Sequence, residues 1–224
     1  MAYDCMKVHQ DENGEVLYNE DCLAIFGPDT GRNIDNPMEN SLCFQAKIMH
    51  DPVGTYLYGI LLDGMGRYNE AYNCYAEAAE KGILGAMTNL ALCYWGGNGV
   101  RKNVEKCVEW LEKAAKQGNP TALFKLGVHY DLGEYYPINP AKAAFYYEQA
   151  ANCNHPIAQR NLAYSYLNGE GVEKNLEKAT HWYKKAASFG ERGSQAWCDE
   201  NNISYSESSL IVVTKIFCDM YEKW

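Results

Sequence analysis

Apolar residues recur along this chain at two nested spacings. Ala86, Leu90 and Tyr94 lie four apart, so they share one face of a helix. The same trio returns 36 residues later as Ala122, Leu126 and Tyr130, and again as Ala158, Leu162 and Tyr166. A second set follows each trio at the same spacing. Asn103, Asn139 and Asn175 match, as do Lys106, Lys142 and Lys178, then Trp110, Tyr146 and Trp182, and finally the pairs Ala114–Ala115, Ala150–Ala151 and Ala186–Ala187. Agreement at one period across so many positions marks a tandem repeat.

Each unit reads as two antiparallel helices. Ala91, Gly127 and Ala163 widen the first-helix stripe and are small enough for close helix approach. The connections Y-W-G-G-N-G-V (94–100) and Y-L-N-G-E-G-V (166–172) carry glycines suited to positive φ in a tight loop. Asn103, Asn139 and Asn175 are favoured N-cap residues for the second helix, and Pro140 suits its first position. Gly118 and Gly190 suit a left-handed cap at its end, with Asn154 in the same place in the third unit. An earlier unit with a loop four residues shorter fits Gly54, Tyr58, Gly59 and Leu62, then Tyr75, Ala78, Ala79 and Gly82. Four repeats are therefore expected at 51–82, 83–118, 119–154 and 155–190. In the third, Tyr135 replaces the second loop glycine and Tyr136 the valine, so a different loop geometry is expected there.

The strings L-A-L-C-Y-W-G-G-N-G-V, K-N-V-E-K-C-V-E-W-L-E-K-A-A-K-Q-G and Y-L-N-G-E-G-V-E-K-N-L-E-K-A-T-H-W-Y-K-K-A-A resemble Sel-1-like repeats, relatives of the tetratricopeptide repeat. The resemblance spans about 140 residues. It implies an all-α fold, a right-handed α-solenoid of antiparallel helix pairs, and a role in protein–protein interaction. In the related tetratricopeptide geometry the first helices line a concave groove. On that geometry the groove positions are Tyr56, Leu57, Ile60 and Asp63 in the first unit; Thr88, Asn89, Leu92 and Trp95 in the second; Phe124, Lys125, Val128 and Asp131 in the third; and Arg160, Asn161, Tyr164 and Leu167 in the fourth. Large aromatics rimmed by charge suit a binding surface. Lys125 and Arg160 with Asn89 and Asn161 suggest capture of a peptide carboxylate, although the chaperone-binding clamp pattern of tetratricopeptide proteins is not reproduced. Bacterial proteins of this kind that neutralise a toxin or an enzyme make an inhibitor or immunity role the alternative to an adaptor.

The flanks lie outside the repeat. Residues 1–50 form an acidic, non-repeating segment in which the first stretch could be a hairpin, an extended arm or a cap. A helix is expected from Asn36-Pro37 to about residue 50. A solenoid needs its last apolar face covered. Ser194 falls at the repeat alanine position, and Leu210, Val213, Phe217, Tyr221 and Trp224 recur at helical intervals. Residues 191–224 are thus expected to hold a degenerate fifth repeat and a capping helix over about 205–222.

Net charge is −9, of which residues 1–50 carry nine acidic against three basic groups. Such a chain repels phosphate backbones, which argues against nucleic acid and leaves a basic protein, such as a toxin or effector, as the complementary partner. No run of about 18 apolar residues occurs, and no charged-then-apolar leader opens the chain, so a cytoplasmic protein without a membrane span is expected. The nine cysteines include no C-x-x-C pair and are expected to be reduced.

Catalytic patterns are weak. None of His9, His50, His129, His155 and His181 stands in H-E-x-x-H or beside a cysteine at metal spacing, and neither a G-x-S-x-G elbow nor a phosphate loop is present. Asp29-Thr30-Gly31 resembles an aspartic protease tripeptide, but that chemistry needs two carboxylates side by side, and Gly27-Pro28 before it favour a turn. Cysteine-rich relatives associated with β-lactam hydrolysis place cysteines where this chain has Ala115 with Ala122 and Ala151 with Ala158. The expectation is a non-enzymatic binding protein without cofactor or metal, monomeric or weakly self-associating, with a hydrolase and a self-assembling scaffold as the alternatives.

Overall fold

A computed structural model of the protein describes residues 41–43, 46 and 49–205, together with two short strands, β1 (His9–Gln10) and β2 (Val16–Leu17). The chain divides into two compact units, residues 1–41 and 42–224. In the first, β1 and β2 pair antiparallel with His9 opposite Leu17. Residues 41–43 and 46 are helical, within the helix expected before residue 50, and Cys43 and Ala46 are buried. The capping helix expected over 205–222 lies outside the described residues beyond Tyr205.

The described part of the second unit is a row of nine helices: α1 (Pro52–Gly64), α2 (Tyr68–Glu80), α3 (Leu84–Gly96), α4 (Val104–Lys116), α5 (Pro120–Leu132), α6 (Pro140–Asn152), α7 (Pro156–Asn168), α8 (Leu176–Ser188) and α9 (Arg192–Glu200). The 36-residue period is visible in their starts, and each helix packs mainly on the one before and the one after it in the chain. This is an α-solenoid of four helix pairs, with α9 as the first helix of a fifth. Ala86, Ala122 and Ala158 are fully buried, as is Ser194 at the same position in α9. The Leu90 and Tyr94 series are buried beside them. Small residues where helices cross let the leucines and tyrosines interdigitate, which is how stacked units share one continuous core.

The helix ends follow from the capping residues. The side chains of Asn103, Asn139 and Asn175 accept hydrogen bonds from the backbone N–H of Lys106, Lys142 and Lys178 at 2.8, 3.0 and 2.9 Å. Each such cap contributes about 1 kcal/mol. Asp51, Asn119, His155 and Glu191 do the same for α1, α5, α7 and α9. Asn154 adopts φ 60°, matching Gly118 at 79° and Gly190 at 85°. The lysine at the start of each second helix lies over the tyrosine that ends the first: Lys106 over Tyr94, Lys142 over Tyr130 and Lys178 over Tyr166, each about 5 Å from the ring centre. Two residues 12 apart in each of repeats 2 to 4 thus tie the helix pair together across its loop.

The third loop departs from the others as its sequence suggests, though only in its middle. Its ends are regular: Gly133 takes the left-handed conformation of Gly97 and Gly169, and the Asn139 N–H donates to the Tyr130 carbonyl just as Asn103 does to Tyr94. Gly99 and Gly171 have positive φ and lie against the backbone of Tyr68 and Pro140, the first residues of the preceding second helices. Tyr135 occupies that place in repeat 3 without positive φ. Tyr136 stacks on Tyr130 with ring centroids 4.2 Å apart and donates its hydroxyl to Glu112 of α4 at 2.5 Å. Aromatic packing there replaces the close backbone approach that glycine permits.

Candidate functional site

The first helices of successive repeats meet around two polar hubs. In the second helix of repeat 3, the buried Tyr147 donates its hydroxyl to Asp131 of α5 at 3.0 Å and has the Asn161 side chain of α7 as a second partner. Burial and then the Asp131 charge push the Tyr147 pKa well up, so the group remains a donor. Tyr75 of α2 has the Asn89 side chain of α3 as its partner and feels the Asp63 charge of α1, and its pKa is again raised by burial first. Each ring needs a glycine opposite. A methyl group on Gly127 would come within 2.6 Å of the Tyr147 ring, and one on Gly59 within 2.8 Å of the Tyr75 ring. Repeat 2 has Leu111 facing Ala91 instead, without a hydroxyl. In repeat 4, Tyr183 stacks at 4.2 Å on Trp197, which stands at the position of Asn161.

These glycine–tyrosine–asparagine sets escape a reading tuned to what every repeat shares. Tyr75 and Tyr147 are 72 residues apart, as are Asn89 and Asn161, with Leu111 and Lys125 midway. The signal that could have found them is a doubled period, polar at alternate interfaces.

The sixteen positions assigned to the groove fall into three groups. In the first repeat Leu57 is exposed and Asp63 partly buried. Asp131 and Tyr164 are exposed. Tyr56, Ile60, Asn89, Leu92, Trp95, Phe124, Lys125, Val128, Arg160, Asn161 and Leu167 are partly buried. Thr88 corrects the expectation: it is 4% exposed, with its hydroxyl donated to the Leu84 carbonyl one turn back, so it is not on an open wall. Several of the partly buried residues pack sideways onto the next repeat. Phe124 stacks on His155 at 4.7 Å, the edge of Trp95 meets His129 at 5.1 Å, and the hydroxyl end of Tyr56 lies against Gly85. Val128 and Leu167 lean on the core of repeats 3 and 4. Asp131, Asn161 and Tyr164 do come together, with Tyr147, Ser165 and Glu170, around one shallow open cleft.

Charge in this face is uneven. Arg160 is paired with Glu191, the cap of α9, at 3.0 Å. Lys125 is partly buried and has no carboxylate within ion-pair distance and no aromatic ring beneath it among the described residues. Its charge is felt by two buried imidazoles. Burial and then Lys125 lower the His155 pKa to about 4, and burial lowers that of His129 against the opposing pull of Glu134. Both imidazoles are therefore neutral at pH 7. His155 uses that state, since its Nδ1 accepts the Ala158 N–H at 3.2 Å and caps α7.

None of the six described cysteines is in a disulfide, and burial pushes the thiols of Cys93 and Cys107 up to about 12 and about 11, away from the reactive thiolate. Among the described residues no cluster of three or more His, Cys, Asp or Glu groups is placed to hold a metal ion, and no helix is long and apolar enough to cross a membrane.

Residues 53–83, 85–119, 120–155 and 156–188 match the Sel1 repeat, which together is more than half of the chain. The chain belongs to the Sel1 repeat family. Sel1 repeats are as a rule protein-interaction scaffolds rather than enzymes. Among solved structures, this Sel1 repeat protein is similar to one from Oxalobacter formigenes, with 28% identity and a TM-score of 0.66 over 71% of this chain and 68% of that one. It also shares its fold with c5321, a protective antigen present in uropathogenic Escherichia coli strains, at 23% identity and a TM-score of 0.65 over 77% of this chain and 39% of that one. No curated protein sequence matches the chain.

Proposed function

We propose that this Sel1 repeat protein binds a partner polypeptide on the first-helix face of repeats 2 to 4. The observation that carries the reading is the cleft where Asp131, Asn161 and Tyr164 converge, one exposed aromatic beside fixed polar groups. Tyr147 holds Asp131 and Asn161 in place, so a ligand meets a preorganised surface and loses little entropy in ordering it. Lys125, one repeat away on α5, adds a cation that nothing within the described chain neutralises. A polypeptide that stacks on Tyr164 and brings an acidic group to Lys125 would satisfy both.

Affinity purification from the native host with wild-type, Tyr164→Ala and Lys125→Glu proteins tests this. Neither side chain is needed for a helix cap or core contact, so the variants are expected to fold. A partner retained by the wild type and lost by both variants supports the reading. A partner retained equally by all three overturns it. The partner's own activity, assayed with and without the Sel1 repeat protein, separates an inhibitor that neutralises it from an adaptor that leaves it active.

A further inference from the structure

Repeat 3 exposes apolar side chains where its sister repeats do not. Leu132, Tyr135, Ile138 and Phe145 are 61%, 41%, 67% and 54% exposed. At the same positions repeat 2 has Gly96, Gly99, Lys102 and Glu109, and repeat 4 has Asn168, Gly171, Lys174 and His181. The repeat thus supplies its own control: the fold tolerates polar residues or glycine at all four sites, and repeat 3 alone has made them apolar.

The four lie within 14 residues of one another, and the rings of Tyr135 and Phe145 are joined through the half-buried Tyr136 and Tyr146 and the buried Tyr130. Ile138 packs over Gly133, the neighbour of Leu132. Ring contacts then run from Tyr135 to Tyr136 at 4.9 Å, to Tyr130 at 4.2 Å, to Tyr146 at 5.7 Å and to Phe145 at 5.5 Å. Single exposed apolar residues are ordinary on a protein surface, whereas a contiguous set marks an interaction site.

The charge around the patch has changed with it. In repeat 2, Lys102 lies over Trp95 and Lys113 over Trp110. The matching residues in repeat 3 are Ile138 and Gln149. Residues 132–149 keep Glu134 and Glu148 against Lys142 alone, and Lys142 is laid over Tyr130; residues 96–113 hold four cations against three acids. The segment that carries the exposed apolar side chains is therefore net acidic where its repeat 2 counterpart is net basic.

We propose that this edge of repeat 3 is a second protein-binding surface, which takes an apolar segment flanked by lysine or arginine side chains. A second copy of the chain is the wrong occupant, because a two-fold contact would set the net acidic segments of two chains of net charge −9 against each other.

The test uses the sister repeat as the template. Tyr135→Gly, Ile138→Lys and Phe145→Glu together install the residues of repeat 2, and Phe145→Glu alone serves as a second variant should the triple one fail to fold. The probes are two labelled amphipathic helical peptides with the same leucine face, one lysine-based and one glutamate-based, followed by fluorescence anisotropy. The expected result is binding of the lysine peptide, weakened by salt and reduced at least about tenfold by either variant, with the glutamate peptide much weaker. Equal binding of the two peptides, no binding of either, or undiminished binding by the variants overturns the proposal. So does loss of lysine-peptide binding in Tyr164→Ala, which would place the peptide in the cleft instead. Sedimentation showing a wild-type dimer that the variants abolish would assign the patch to self-association and overturn it as well.

Discussion

The ring of Tyr147 lies against the backbone of Gly127, so close that a methyl group there would come within 2.6 Å of the ring. In repeat 2 the same two places hold Leu111 and Ala91, both buried. Size is traded across the helix pair, a small residue opposite a large ring and a larger one opposite an aliphatic side chain.

Gly127→Ala is therefore expected to destabilise the protein by about 1 to 3 kcal/mol through overpacking, although alanine is the better helix former by up to about 1 kcal/mol. Adding Tyr147→Leu recreates the repeat 2 pair and should recover most of the loss, with Asp131 free to be solvated at the surface. Urea unfolding midpoints of the three proteins measure this. A single variant as stable as the wild type would show that the ring can move aside at no cost.

Acid should loosen the junction between repeats 3 and 4. His155 caps α7 only when Nδ1 is unprotonated, and its pKa in the fold is about 4 against an ordinary 6.5. Between those values the unfolded chain binds more protons than the folded one. The contribution is thus fully present above about pH 6.5 and is lost as pH falls towards 4, on the order of 3 kcal/mol in all. His129, also lowered by burial, adds in the same direction. The facing charges are Lys125, which disfavours protonation of both rings, and Glu134, which favours it at His129. His155→Asn supplies the cap that Asn119 gives α5, without a titrating group. Thermal midpoints from pH 7 to pH 4 should fall less steeply in this variant than in the wild type, and identical slopes would exclude the cap as the cause.

The solenoid was legible because its determinants repeat. Ala86, Leu90, Tyr94 and Asn103 each recur where the geometry is the same, so period and role could be read together, down to the left-handed conformation of Asn154. The proposed binding face was less legible because it depends on neighbours in the next repeat. Whether Phe124 faces solvent or stacks on His155 is decided 31 residues away, and Thr88 is buried while its counterpart Arg160 reaches out to Glu191. A register inferred from one helix places a side chain on a face but does not say what the adjoining unit lays over it. The alternating hubs at Tyr75 and Tyr147 were missed for the same reason, as they belong to interfaces between repeats.

Loop glycines should differ sharply in what they tolerate. Gly171 has φ 74° and sits against the backbone of Pro140, so Gly171→Ala meets both a strained conformation and immovable atoms. A loss of roughly 2 to 4 kcal/mol is expected, near the upper range for single substitutions. Tyr135, at the equivalent position, lacks positive φ and is 41% exposed, so Tyr135→Gly should cost no more than about 1 kcal/mol. Its neighbour is the residue that matters in repeat 3. Tyr136→Val installs the residue of the other repeats, but it removes the stack on Tyr130 and the bond to Glu112, for a loss of about 1 to 2 kcal/mol. Urea midpoints for the three variants should therefore rank Gly171→Ala lowest, Tyr136→Val next and Tyr135→Gly close to the wild type. If Tyr135→Gly instead falls below Tyr136→Val, the third loop is held by Tyr135 itself, and aromatic packing through Tyr136 is not what replaces the missing glycine.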